Sequence, residues 1–298
     1  MREVLSEMIA QSAQNNPNFV LMTGDHGYAL FDKIRTVKPE SFINVGIMEQ
    51  GLISLAAGMA KTGFKPMCYG LAAFIPLRVL EQIKFDVCLP NLPIKMIGDG
   101  AGLVYTILGS SHQCAEDITV LRSLPDIEIY SPGDPEEMRV CYREFSTSEN
   151  PAYLRVGKAD SSDLKQSELK STLPYFTNKT SSKTCIISTG AMLGIANKIA
   201  KDKNVSHLSI MRIKPLHLEL VKMVESFDKI IVIEEHTRNG GLTSAITDFL
   251  IDNEAKIPVI KHFTLNSSFT KNAGSYQYAL SEHGISHQQL TDSISNIL

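Results

Sequence analysis

Short apolar runs, each closed by a turn and followed by a stretch with helical spacing, recur along this chain of 298 residues. Val4, Leu5, Met8 and Ile9 fall on one face at helical spacing, so the chain opens with an amphipathic helix. Phe19-Val20-Leu21-Met22 is a buried-strand run ended by Thr23-Gly24-Asp25-His26-Gly27. Strand signals follow at 42–45, 65–69, 94–97, 127–130 and 152–155, with helical patterns near 47–61, 75–88, 115–123 and 134–145. Apolar strands of this length, separated by helices, predict a parallel sheet covered on both faces. Pro132-Gly133-Asp134-Pro135 reads as a helix start, with Asp134 as cap and Pro135 in the first helical position.

From about Asp160 to Lys183 the pattern dissolves into Ser, Lys, Asp, Thr and Asn, the composition of a linker. Beyond it the alternation restarts, with strands at 184–188, 205–210, 230–234 and 258–264 and helices near 191–201, 216–226 and 241–252. The expectation is two α/β domains in series: residues 1–160, a linker over 161–183, and residues 184–298.

Composition narrows the class. Hydrophobic residues make up 43% and charged residues 20%, enough apolar material for real cores and too much for disorder. A net charge of -3 points to no nucleic acid and no membrane surface. Five cysteines (Cys68, Cys88, Cys114, Cys141, Cys185) lack any Cys-x-x-Cys pair and read as reduced, mostly buried thiols. With no apolar signal core at the start and no run long enough to span a bilayer, a cytoplasmic protein is expected.

The candidate chemistry centres on Phe42-Ile43-Asn44-Val45-Gly46-Ile47-Met48-Glu49-Gln50-Gly51, a short strand, a glycine turn and a helix start. Glu49 sits in the first helical turn, just past the end of a parallel strand, the edge at which open α/β sheets bind ligands. Such a glutamate either satisfies the helix dipole or does chemistry. By themselves Phe74 reads as a core aromatic at a helix start, Asp25 as a turn residue and Lys158 as a surface lysine. Glu234-Glu235-His236 reads as a hydrogen-bonded interface or cap, with an acid–base cluster as the alternative.

The wording Val45-Gly46-Ile47-Met48-Glu49-Gln50 resembles the Val-Gly-Ile-x-Glu-Gln signature of the transketolase family, which uses thiamine diphosphate. Gly109-Ser110-Ser111-His112-Gln113 is similar to that family's Gly-Pro-Thr-His-Gln, and Pro151-Ala152-Tyr153-Leu154-Arg155-Val156-Gly157-Lys158 to the strand closing its pyrimidine-binding domain. The second half, with Ile213-Lys214-Pro215-Leu216 and Gly240-Gly241-Leu242, resembles its C-terminal domain. The resemblance implies a parallel-sheet pyrimidine-binding domain followed by a mixed-sheet α/β domain. It assigns Glu49 to a ring nitrogen of the cofactor's aminopyrimidine, where its carboxyl promotes loss of the thiazolium proton, and it places Ile47 beside it. An apolar setting from Val45, Ile47 and Met48 would suit that task. Phe74 would stack on the pyrimidine, Asp25 would lie near the cofactor, His112 would face the substrate, and Lys158 would bind substrate phosphate.

Departures from the pattern carry information. Gly98-Asp99-Gly100 looks like the start of the family's diphosphate–Mg²⁺ motif, but no Asn lies between Ala101 and Glu149 to complete it. The resemblance therefore implies the C-terminal subunit of a split enzyme, with Mg²⁺ held by a separate diphosphate-binding subunit and homodimerisation inside a two-plus-two heterotetramer. Thr106-Ile107-Leu108-Gly109 stands where the family has Gly-Glu-Asp-Gly, and Gly100 where it has a substrate-facing histidine. The expected activity is transfer of a two-carbon ketol unit between small sugars, with a modified or nucleotide-linked sugar as acceptor. The alternatives are the beta subunit of a 2-oxo acid dehydrogenase and a non-catalytic scaffold.

Overall fold

The computed structural model describes residues 1–158 and 169–298. In the first half lie β1 (Phe19–Thr23), β2 (Phe42–Asn44), β3 (Lys65–Leu71), β4 (Lys95–Asp99), β5 (Glu128–Tyr130) and β6 (Ala152–Val156). In the second half lie β7 (Tyr175–Asn178), β8 (Thr184–Ser188), β9 (Ser206–Ser209), β10 (Arg212–Lys214), β11 (Lys229–Thr237) and β12 (Val259–Leu265). They form a seven-stranded sheet in the order β10-β5-β6-β4-β3-β1-β2 and a five-stranded sheet in the order β12-β11-β8-β9-β7. The six first-half strands are parallel, as their continuous apolar runs predict: β1, β4, β5 and β6 are buried at every position. The second sheet is mixed, because β7 runs antiparallel to β9.

Three differences from the expected elements have physical causes. First, β10 comes from the second half yet pairs antiparallel with β5, Arg212 opposite Tyr130, so the first sheet is not purely parallel. Second, β7 lies inside the stretch read as a linker, where two aromatics among polar residues gave no alternating signal; residues 159–168, the start of that stretch, lie outside the described residues. Third, the helix expected over 75–88 is broken into the turns Leu77–Val79, Leu80–Gln82 and a π turn, Ile83–Cys88. Ile75, Val79, Ile83 and Val87 are all fully buried and spaced by four. On a 3.6-residue helix that spacing drifts by about 40° per turn. The wider π turn cancels part of the drift and keeps the row facing the core.

One apolar cluster runs from Met22, Ile53 and Ile83 in the first domain to Ile213, Leu220 and Ile246 in the second, so the halves share a core. A buried polar network reinforces the junction. Arg155 Nε donates to Asp117 Oδ2 at 2.9 Å and its Nη2 to the Glu235 carbonyl at 2.8 Å, and Tyr153 donates to Asp117 at 3.0 Å. All five cysteines are buried and free. Among the described residues no helix is long and apolar enough to cross a membrane.

Candidate active site

The strand ends of β1 to β4 converge on one edge of the first sheet, and most of the residues singled out in the sequence lie there. Chain direction reverses from β2 into the helix Glu49–Lys61 through Gly46, whose φ of +79° is open to glycine. Asn44 fixes this turn. Its Oδ1 accepts from the backbone N–H of Gly46 and of Asp25, each at 3.0 Å, and its Nδ2 donates to Asp25 Oδ1 at 3.1 Å. Asp25, itself left-handed at φ +61°, is thereby held exposed beside the start of the Glu49 helix.

Glu49 is 5% exposed and accepts a hydrogen bond from Arg78 Nη1 at 3.1 Å. The same guanidinium lies 3.9 Å above the Phe74 ring, and that ring meets His112 edge-on at a centroid distance of 5.7 Å. Glu49, Phe74 and His112, which are far apart in sequence, are thus one contiguous group with Arg78 in the middle. The setting differs from the apolar one expected: Ile47 is 77% and Met48 48% exposed, and the carboxylate faces a cation. A carboxylate and an aromatic face that together hold a flat group with N–H donors suit an aminopyrimidine, which offers the same two features.

His112 belongs to a loop whose Gly109 has a φ of +83°. Ile107 and Leu108, just before it, are 72% and 54% exposed, so the segment that departs from the family pattern presents apolar surface. Gly100, also left-handed, has no room for a side chain: a Cβ there would lie 1.9 Å from the Tyr105 ring. Tyr105 fills that space and donates to Asp99 at 2.7 Å. Lys158 is exposed just beyond the end of β6, and it is not joined to the Glu49 group by any contact among the described residues.

Asp99 is the centre of a second group. It is 2% exposed and accepts from Arg2 Nη2 at 2.6 Å and Nε at 3.2 Å, with His26 Nε2 at 3.4 Å. Burial pushes its pKa up, but the hydrogen bond from His26 and the charge of Arg2 outweigh this and hold it below the ordinary value. Gly98-Asp99-Gly100 therefore serves an ion-paired turn, and no group of three or more His, Cys, Asp or Glu among the described residues could hold a metal. Glu234 and Glu235 serve structure. Glu234 caps the helix Leu242–Asp252, accepting from the N–H of Leu242 at 2.6 Å and Thr243 at 3.0 Å. Glu235 accepts from Leu103 N–H at 2.5 Å and Tyr276 at 2.6 Å. His236 is buried beside Asp117, and burial pushes its pKa down.

Sequence reasoning missed Arg78, Arg2, His26 and Tyr105. Arg78 sits in a helical run where a lone cation reads as solvent-facing, and the Asp99 partners come from three separate segments. A cavity of about 780 Å³ lies at the opposite edge, against the starts of β1, β3 and β4, away from this chemistry.

Residues 1–162 match the family described as "Transketolase, pyrimidine binding domain", and residues 177–287 match "Transketolase, C-terminal domain". The chain is 29% identical over 273 residues to one of the subunits of the apulose-4-phosphate transketolase of Phocaeicola vulgatus, covering 87% of this chain and 86% of that one. It is 27% identical over 306 residues to the 1-deoxy-D-xylulose-5-phosphate synthase of Halalkalibacterium halodurans, of whose length it spans 48%. The fold matches a solved structure described as a split gene transketolase, inactive beta4 tetramer, at a TM-score of 0.85 and 24% identity, over 99% of this chain and 96% of that one. With more than half its length matched by the pyrimidine-binding family and most of the remainder by the C-terminal one, the chain belongs to the transketolase family.

Proposed function

We propose that this chain is the pyrimidine-binding subunit of a two-subunit, thiamine-diphosphate-dependent enzyme that moves a two-carbon ketol unit between sugars. The observation that carries the reading is the joint hold of Glu49 and Phe74 on one flat N–H donor group. Bound here, the cofactor supplies the carbon nucleophile that cleaves the donor ketose. The chain's residues orient it: Glu49 holds the pyrimidine ring nitrogen and shares its proton, Phe74 stacks on the ring, and Asp25 and Ile47 flank it. His112 holds or moves a proton at a substrate hydroxyl. Lys158 offers charge to a substrate phosphate, without the bidentate geometry an arginine would bring.

A separate diphosphate-binding subunit, holding Mg²⁺ and assembling two-plus-two with this chain, is supported by the Phocaeicola relative, which this chain matches over 86% of that relative's length and which is named as one subunit of a transketolase. Apolar Ile107 and Leu108, together with a Gly100 that has no room for a side chain, support an acceptor other than a plain pentose phosphate, such as a modified or nucleotide-linked sugar. The test is calorimetry of thiamine diphosphate with Mg²⁺ against this chain alone and against its mixture with a candidate partner subunit. Tight binding in the mixture only, weakened about tenfold or more by Glu49→Ala, is the expected result. Tight binding by the isolated chain would remove the need for a partner, and no binding in either sample would leave a scaffold role.

A further inference from the structure

We propose that the second domain sets the position of His112 through a one-way hydrogen-bond chain from His283 through Thr270 to Gln113, which makes Thr270 and Gln113 positioning residues. The inference rests on the reading of His112 as a substrate-facing group. The loop that carries His112 is closed at its base by a bridge between Gly102 and Cys114, with N–H···O=C distances of 2.6 and 2.9 Å. Between those anchors, Tyr105 is held by Asp99 of the first domain, while the turn on either side of Ser111-His112 is braced by the second. Gly274 N–H donates to the Thr106 carbonyl at 3.2 Å, and Ser110 Oγ donates to the Thr270 carbonyl at 2.7 Å. Thr270 Oγ1 in turn donates to Gln113 Oε1 at 2.9 Å. Both residues that bracket Ser111-His112 therefore grip Thr270, one through its backbone and one through its side chain.

The direction of the chain follows from counting hydrogens. Asn266 N–H points at His283 Nδ1 at 3.2 Å, so Nδ1 is an acceptor and the ring proton lies on Nε2. Nε2 is 3.0 Å from Thr270 Oγ1, which accepts there and spends its one hydrogen on Gln113 Oε1. At the far end, Thr106 Oγ1 gives its one hydrogen to the Leu103 carbonyl at 2.6 Å, so it can only accept from Gln113 Nε2, at 2.8 Å. The Gln113 amide has one orientation that satisfies both neighbours. Thr106, Thr270 and His283 are all buried and Gln113 is half-buried, and burial pushes the His283 pKa down, which favours the neutral ring that the Asn266 contact requires. A chain in which each member has one allowed role fixes the loop backbone on either side of His112, and with it the ring's edge-on contact with Phe74.

Thr270→Val keeps the backbone carbonyl for Ser110 and removes the hydroxyl; Thr270→Ser keeps both. Imidazole ¹H–¹³C spectra of the full chain, with the His112 signal identified by its loss in His112→Gln, report the position of the ring without any turnover. The expected result is a shifted and broadened His112 signal in Thr270→Val and a parent-like signal in Thr270→Ser. In the assembled enzyme, Thr270→Val should lower kcat/KM about fivefold while leaving thiamine diphosphate affinity unchanged. Should Thr270→Val fail to fold, Gln113→Leu, which leaves the second domain untouched, gives the same reading. A His112 signal unmoved by either variant overturns the proposal. If His112 shifts as expected but His112→Gln costs no turnover, the bracing stands and the substrate-facing reading fails.

Discussion

Arg78 donates to Glu49 across 3.1 Å while lying 3.9 Å above Phe74, so one guanidinium takes up both contacts proposed for the aminopyrimidine. Arg78 is 42% exposed, and an ion pair with a partner that exposed contributes about 0.2–1 kcal/mol. Arg78→Ala is therefore expected to tighten thiamine diphosphate binding by up to about fivefold in calorimetry of the assembled enzyme. Weakened binding would mean that Arg78 works alongside the cofactor and not in its place.

Glu49→Ala removes a charge-assisted hydrogen bond, a contact of about 1.5–3 kcal/mol. The expected loss of cofactor affinity is about tenfold or more, with helix content and subunit assembly retained in circular dichroism and sedimentation. A variant that binds the cofactor as the parent does would move the pyrimidine site elsewhere.

How far these groups were legible in the sequence depends on whether their signal was local. The parallel strands and the Glu49 helix start were readable because burial on both faces writes continuous apolar runs, and because Gly46 marks the turn. β10 was not, since Arg212-Ile213-Lys214 is too short to show alternation and pairs with β5 more than eighty residues earlier. Arg78 was invisible for a related reason: its partner Glu49 is 29 positions away and nothing nearby marks it. The Glu234-Glu235-His236 cluster was legible in kind: a strand-end group read as a cap or a hydrogen-bonded interface is a helix cap at Glu234 and a domain tie at Glu235, although the partners themselves lie in other segments.

Arg155 and Asp117 are 2% and 0% exposed at their side chains and tie the two domains. Arg155→Met leaves a buried carboxylate whose charge is no longer paired by a guanidinium, which costs about 3–5 kcal/mol. The urea midpoint of the isolated chain should fall accordingly, and adding Asp117→Leu should recover part of the loss. An unchanged midpoint in the single variant would show that the junction does not depend on this pair.

His207 is fully buried, shares a hydrogen bond with Ser188 Oγ at 2.8 Å, and has its pKa pushed down to about 3 by burial. The unfolded chain takes up the proton near pH 6.5 and the folded chain does not, so this group's stabilisation is complete above pH 6.5 and drains away as pH falls towards 3. The loss reaches on the order of 3 kcal/mol by pH 4. Urea midpoints at pH 7, 5.5 and 4 should therefore decline more steeply in the parent than in His207→Gln, which is less stable at pH 7 but lacks the titration. Parallel slopes would assign the acid sensitivity to other groups.

Leu108 offers the most direct handle on the acceptor. It is 54% exposed, the proposed function sets it where the resembling motif carries an acidic hydroxyl contact, and its loop is the one that brings His112 to Phe74. An exposed leucine cannot recognise a hydroxyl, and a polyhydroxylated acceptor brought against it loses hydration without a replacement bond. Leu108→Asp supplies a charged acceptor worth about 1.5–3 kcal/mol to a hydroxyl, so kcat/KM for a hydroxyl-rich acceptor is expected to rise by about tenfold or more. For an acceptor that is deoxygenated or capped at that carbon it should fall, because the carboxylate must then be desolvated unpaired. Stability should stay within about 0.5 kcal/mol of the parent, as for other surface changes, which separates a specificity effect from damage to the fold. An unchanged preference between the two acceptors would place the recognised hydroxyl away from Leu108 and leave Lys158 as the next position to vary.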